Sequence, residues 1–254
     1  MFNLLKYKPR GLFSGFTLKW IAIISMVTDH IGVVLFPDIA HWFRCFGRIS
    51  FPIFCFLIIE GFYHTHNLKK YTLRLAAFAI ISEIPYDLAF FGEAFTKESL
   101  KRQNVFFTLL IGLVMIALTD LAFKNLEKIA GEREHGRLGS VLLKVLPIVF
   151  CFFFLLGGLG ASVLLEVDYP RIGVLTIMAL YIFRRYEIFS MLSIALINLH
   201  WGTGVQPYAS FSIIPIMLYN GEKGRSMKWL FYVFYPAHLL ILFLIRYMFL
   251  SPDI

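Results

Sequence analysis

Leu18-Lys19-Trp-Ile-Ala-Ile-Ile-Ser-Met-Val-Thr-Asp29-His30-Ile-Gly-Val-Val-Leu-Phe36 decides the fold class. A helix needs roughly 17 to 25 mostly apolar residues to cross about 30 Å of hydrocarbon, and this run has that length, with ionisable groups only at Lys19 and Asp29-His30. Comparable runs follow at 43–63, 71–91, 105–123 and 141–165, and four more at 172–183, 188–201, 208–220 and 229–250. The middle ones are short enough to be tilted, broken or re-entrant. The pattern predicts an all-α, polytopic integral membrane helix bundle of about nine transmembrane helices, within a range of roughly eight to ten, forming a single domain over residues 1–254.

Composition excludes the soluble alternative. Of 254 residues, 59% are hydrophobic and only 16% charged, and the mean hydropathy is +0.74; so few polar groups cannot cover a water-exposed surface. The 28 Phe and 12 Tyr suit lipid-facing helices with interfacial aromatic belts. A net charge of +8 therefore reads as topology rather than nucleic-acid binding, because basic loops stay cytoplasmic. With a cytoplasmic N-terminus and nine spans, most of the 24 Lys+Arg fall inside, including Lys6, Lys8, Arg10, Lys19, Lys69, Lys70, Arg74, Arg184, Arg185, Lys223, Arg225 and Lys228. A tenth span near Pro147 and Gly157 would flip the later half. Residues 1–17 have no short apolar core followed by a small-residue cleavage site, so the first span is expected to remain as an anchor. Cys45, Cys55 and Cys151 lack paired spacing and predict neither a disulfide nor a zinc site. The polar stretch from Lys124 to Gly139 reads as a flexible, solvated loop.

Ionisable groups inside the spans carry the functional information, since each costs on the order of 3 kcal/mol at mid-membrane unless paired or wetted. His30 lies eleven residues after Lys19, which returns to nearly the same helix face. An imidazole beside a carboxylate serves as a general base; Asp29 either orients His30 or, pointing about 100° away, serves another helix or caps the span. Arg44 and Arg48 share a face and either snorkel to headgroups or hold a carboxylate or phosphate. Glu60, His64 and His66 suggest a metal only weakly, because no second ligand cluster accompanies them. Glu83 and Asp87 share a face across Pro85, which is expected to break the backbone, and two acids so close should hold a proton, pair with Arg44 or Arg48, or bind an amine. His238 follows Pro236 in the last span, as a site residue or a hydrogen-bonded packing residue, and Asn104 stands at the mouth of the fourth. Asp168-Tyr-Pro-Arg171 and His200-Trp-Gly-Thr-Gly read as loop and cap chemistry.

The segments Lys19 to Gly32, Arg44 to Phe62, Ser82-Glu83-Ile-Pro85-Tyr86-Asp87, Gln103-Asn104-Val-Phe106-Phe107-Thr108 and Phe231-Tyr232-Val-Phe-Tyr235-Pro236-Ala-His238 together resemble the TraX family. The likeness covers most of the chain in order and is loose between Lys124 and Gly204. More distantly, the chain is similar to the membrane acyltransferase-3 superfamily, in which a basic residue precedes a His by eleven positions; here Lys19 stands where Arg is usual, and Glu60 where Ser is usual.

The TraX resemblance implies N-terminal acetylation of conjugative pilin subunits, with acetyl-CoA as donor and a location in the bacterial cytoplasmic (inner) membrane. The function expected is an integral membrane acetyltransferase acting on an amine or hydroxyl of a membrane-associated acceptor: a pilin-like peptide, a glycan or a lipid. His30 and Asp29 are the expected catalytic pair, with His30 as base or acyl carrier. Arg44, Arg48, Glu60, Glu83, Asp87, Asn104 and His238 are expected to bind substrate or stabilise an oxyanion, and Lys19, Lys69, Lys70 and Arg74 to hold the anionic end of acetyl-CoA. The partners are the lipid bilayer, acetyl-CoA and the acceptor; no nucleic acid or metal is expected. Two other classes fit part of this set. A proton-coupled small-molecule transporter also carries intramembrane acids and histidines, although the two repeated halves common among transporters are missing here. A non-enzymatic pilus or envelope assembly subunit needs no intramembrane acid–base set.

Overall fold

The computed structural model describes residues 11–132, 137–226 and 228–250. Among these the chain is almost wholly helical. Its helices are α1 (Gly15–Leu35), α2 (Ala40–Gly47), α3 (Ser50–His64), α4 (Leu68–Phe91), α5 (Val105–Glu132), α6 (Arg137–Leu164), α7 (Pro170–Phe183), α8 (Glu187–His200), α9 (Ile213–Met217) and α10 (Lys228–Ile245).

Local chemistry sets the boundaries. The Ser14 hydroxyl accepts from Thr17 N to start α1, and Asn67 Oδ1 accepts from Lys70 N to start α4. Gly92, at φ +81°, ends α4 in the left-handed conformation that glycine adopts without a Cβ penalty. Pro170 opens α7, where its missing N–H costs nothing.

Among the described residues five stretches are long and apolar enough to cross a membrane: Gly15–Leu35, Pro37–His64, Val105–Gly131, Val141–Leu164 and Trp229–Phe249. The second joins α2 and α3 across the bend at Arg48-Ile49. The chain is thus an all-α membrane protein. The helix α4 has spanning length, but Lys69, Lys70, Arg74, Glu83 and Asp87 lower its apolarity. Fourteen residues each make α7 and α8 about 21 Å long, short of a full hydrocarbon core. Residues 208–220 are no single helix: a 3-10 segment, Gln206–Ser212, leads into the five-residue α9.

Two local expectations change. The stretch 124–139 is helical to Glu132 and again from Arg137, because Leu126, Ile129 and Ala130 continue the helical sequence beyond the apolar core of α5; residues 133–136 lie outside those described. Pro85 does not break α4; it sits inside a continuous helix, as Pro236 does in α10.

The core centres on α3, with Leu18 and Ala22 of α1, Leu113 and Ile116 of α5 and Val174 and Ile177 of α7 packed around it. Gly173 makes this approach possible: a Cβ there would stand 2.4 Å from Thr108 Cγ2 and 2.8 Å from Phe51 Cζ. By contrast α6 is hardly buried within the bundle, as expected of a helix that faces lipid. The later elements run between the same two ends of the bundle. Tyr169 before α7 meets Arg48 while Arg184 after it meets Glu60, and Gln206 returns to Arg48 while Tyr219 returns to Glu60.

Candidate functional site: two cavities meeting at Phe54

Arg48 sits at the bend between α2 and α3, where the backbone turns into the bundle and carries the guanidinium with it. Gly47 is needed for this approach, because a Cβ would lie 2.3 Å from Asp29 Cβ. The Ser25 hydroxyl seals the junction by donating to Phe46 O at 2.7 Å and Gly47 O at 3.1 Å. Arg48 Nη2 then donates to Asp29 Oδ2 at 2.7 Å, and Nη1 donates to the Tyr169 hydroxyl at 2.6 Å and Gln206 Oε1 at 3.5 Å. The side chains of Arg48 and Asp29 are only 10% and 13% exposed, so this is a largely desolvated pair. Arg44 flanks it, with Nε 3.8 Å from Asp29 Oδ1.

The next residue, His30, faces a different neighbour. His30 Nδ1 is 2.7 Å from His238 Nε2, and His238 Nδ1 is 2.9 Å from the Phe234 carbonyl. Asp29 therefore does not orient His30. Adjacent helix positions point about 100° apart, and the Asp29 carboxylate is already held by Arg48. His30, Asp29, Arg44 and Arg48 line a cavity of about 200 Å³, together with Tyr86, Asp168 and Tyr169.

Asp168 and Tyr169 belong to the stretch expected to be ordinary loop. Tyr169 adopts φ +57°, stacks on Phe51 with ring centres 4.0 Å apart, and presents its hydroxyl to Arg48. A non-glycine residue in that conformation is held by its surroundings, and such residues cluster at functional sites. Burial pushes the Asp168 carboxyl up to about 6, although Arg48 and Arg44 pull it down, and burial also raises the Tyr169 phenol. The signal in the sequence was an acid and a phenol immediately before a proline at a span end.

A second cavity, of about 350 Å³, opens at the other end of the bundle. Lys19, Arg74 and Lys223 bring three cations to it, and Tyr71, Phe106, Phe231 and Tyr232 give it aromatic walls. Lys19 and Arg74 were expected to hold an anion and stand together here. Lys223 was not singled out, and it comes from the turn after α9. Lys69 and Lys70 are exposed and do not line the cavity; they follow the Asn67 cap, where the first turn of α4 carries them outward.

Phe54 lines both cavities. Lys19 and His30, eleven residues apart on α1, are separated by about 16 Å along the helix axis and stand one in each cavity.

Other expected site residues are held elsewhere. Glu60 lines the basic cavity, where Oε1 accepts from Arg184 Nη2 at 3.0 Å and Oε2 accepts from the Tyr219 hydroxyl at 3.1 Å. His64 Nε2 lies 3.4 Å from the same carboxylate. Glu60 is therefore a tie at the far end from His30, because most of α3 lies between Arg48 and Glu60. Asn104 is spent as a helix cap and interhelix tie: its Oδ1 accepts from Phe106 N, and its Nδ2 donates to Ala79 O and to Glu83 Oε1. Glu83 thus pairs with Asn104, not with an arginine. Asp87 is buried, and neither Asn104, Glu83 nor Asp87 lines the His30 cavity. Among the described residues no cluster of three or more His, Cys, Asp or Glu is placed to hold a metal ion.

Comparison with known proteins agrees with this set of motifs. The chain is 30% identical over 253 residues, covering 91% of itself and 94% of the relative, to the probable fimbrial assembly protein FimC, serogroup H1, of Dichelobacter nodosus. It is 37% identical over 67 residues, about a quarter of each chain, to the uncharacterized protein RP591 of Rickettsia prowazekii (strain Madrid E). No solved structure matches. The family described as TraX protein matches residues 14–246, which take in both cavities and every residue of the Asp29–Arg48 and His30–His238 pairs, and the chain belongs to the TraX family.

Proposed function

We propose that this TraX-family protein is a membrane-embedded acetyltransferase that moves an acetyl group from acetyl-CoA to an amine or hydroxyl, with His30 as general base. The observation that carries the reading is the pair of cavities that share Phe54 in their walls, one basic and aromatic, the other holding His30. Lys19, Arg74 and Lys223 suit the phosphates of the donor, and the aromatic walls suit stacking of its adenine ring. The thioester then extends past Phe54 toward His30. The acceptor enters the smaller cavity, and its N–H or O–H proton passes to a ring nitrogen of His30 as the new bond to the acetyl carbon forms. The C–S bond breaks, and the departing thiolate takes that proton, which returns His30 to its neutral form. Arg44 and Arg48 line the same cavity and offset the charge on the acetyl oxygen during transfer.

The topology proposed is nine crossings with a cytoplasmic N-terminus in the inner membrane. The alternation of Tyr169, Arg184, Gln206 and Tyr219 between the two ends supports it, and it puts the basic cavity on the cytoplasmic side, where acetyl-CoA is found. The name of the Dichelobacter relative favours a pilin-like peptide as acceptor, with a glycan or lipid as the alternatives. That name also supports the second reading, an assembly subunit without catalysis.

The test is thiol release from acetyl-CoA by the full chain purified in detergent, wild type beside His30→Ala, with and without membrane extract as the source of acceptor. Extract-dependent release that His30→Ala abolishes is the expected result. A wild-type protein that neither binds acetyl-CoA nor releases thiol would sink the enzymatic reading and leave assembly or ion-coupled transport.

A further inference from the structure

His238 lies 208 residues from His30 in sequence and in direct contact with it, and the chemistry above assigns it no part. Its two contacts decide where the protons are. The Phe234 carbonyl can only accept, so His238 Nδ1, 2.9 Å away, carries a hydrogen. A neutral imidazole protonated at Nδ1 has its lone pair at Nε2, and that atom faces His30 Nδ1 at 2.7 Å. Two lone pairs would repel at this distance, so His30 Nδ1 is the donor. The basic nitrogen of His30 is then Nε2, on the side of the ring away from His238, and His30 lines the smaller cavity while His238 does not.

The surroundings hold this arrangement rigidly. The two imidazoles are within 5° of one plane with centroids 5.0 Å apart, which is the edge-to-edge geometry of a straight N–H···N bond. Phe234 stacks against His238 at 5.3 Å, while Phe90 and Tyr235 meet His30 edge-on at 5.3 and 6.2 Å. The usual alternative, a carboxylate behind the base, is closed, because Asp29 is bound to Arg48.

We infer that His238 is a positioning residue that fixes His30 in the tautomer with Nδ1 protonated and Nε2 basic. Its catalytic consequence rests on the acetyltransferase reading; the tautomer itself does not. When Nε2 takes the acceptor's proton, the His30 Nδ1–H remains bonded to His238 Nε2, and the positive charge is shared with a neutral ring rather than balanced by an acid. Asp29 is left free to hold Arg48.

The test uses full-length protein carrying nitrogen-15 histidine, in detergent, with the signals of the seven histidines sorted by their loss in His30→Ala and in a His238→Gln variant. Expected in the wild type is a His30 ring protonated at Nδ1 and bare at Nε2, with coupling across the hydrogen bond to His238. In His238→Gln the amide oxygen accepts the same bond and keeps that tautomer, whereas His238→Ala releases it. A wild-type His30 protonated at Nε2, or one unchanged in His238→Ala, overturns the inference. In the thiol-release assay His238→Ala should lower kcat on the order of a hundredfold with KM for acetyl-CoA unchanged, and His238→Gln should recover most of it. An equal fall in both variants would also overturn the positioning role. The predicted spectrum in a wild type that releases no thiol would sustain the tautomer and refute the acetyltransferase reading alone.

Discussion

Replacing Arg48 with Met should be among the most damaging single changes in the protein, and the size of the effect follows from its contacts. The guanidinium ties α1 to the turn before α7 and to the segment before α9, through Asp29 at 2.7 Å, Tyr169 at 2.6 Å and Gln206 at 3.5 Å. Removing one partner of a buried ion pair typically costs about 3–5 kcal/mol, because the other charge is stranded. Arg44 stands 3.8 Å from the same carboxylate but is 43% exposed, so it relieves part of the penalty and the lower end of that range applies. For a chain of this size each kcal/mol lowers Tm by about 2–4 °C, which gives a fall of roughly 6–12 °C. The double variant Asp29→Leu/Arg48→Met strands no charge and loses only the bonds to Tyr169 and Gln206, about 1 kcal/mol each, so it should be the more stable of the two. The assay is loss of the monodisperse peak in size-exclusion chromatography after heating in detergent. A single variant within about 2 °C of wild type, or a double variant less stable than the single, would refute the argument that the pair is buried and mutually dependent.

Gly47→Ala adds only a methyl group, yet its Cβ would meet Asp29 Cβ at 2.3 Å; overpacking of this kind costs about 1–3 kcal/mol, and the same heating assay should show a lower Tm, whereas an unchanged value would mean that α2 can move. Phe54→Ala should join the two cavities and admit water to the thioester, raising acceptor-independent thiol release on the order of tenfold; unchanged release would mean that Phe54 does not divide them. The Asp168 carboxyl, raised to about 6 by burial, binds more protons folded than unfolded. Its contribution to stability is therefore greatest below about pH 4 and falls as the pH rises to about 6. Asp168→Asn should flatten the Tm-against-pH curve over that window, and identical curves for the two proteins would disprove the assignment.

How much was legible in the sequence differs from residue to residue. The run Leu18–Phe36 and its successors determine an all-α membrane protein, because hydrocarbon demands internally satisfied backbone over a fixed length and a helix supplies it within one segment. Intramembrane polarity also stands in the sequence, so His30, Arg48, Asp29 and His238 are visible as groups that need partners. Their partners are not visible. Helical periodicity places neighbours three or four positions apart, whereas Arg48 finds Tyr169 and Gln206, and His30 finds His238, only when distant helices pack together. For the same reason Glu60 and Asn104, polar residues in the same motifs as the base, are tied to Arg184 and to Glu83 away from its cavity, while Asp168 and Tyr169, unremarkable as a loop, line it. Length and polarity are properties of one segment and can be read along the chain. Which polar group satisfies which depends on the packing of segments far apart in sequence, and only the tertiary structure decides that.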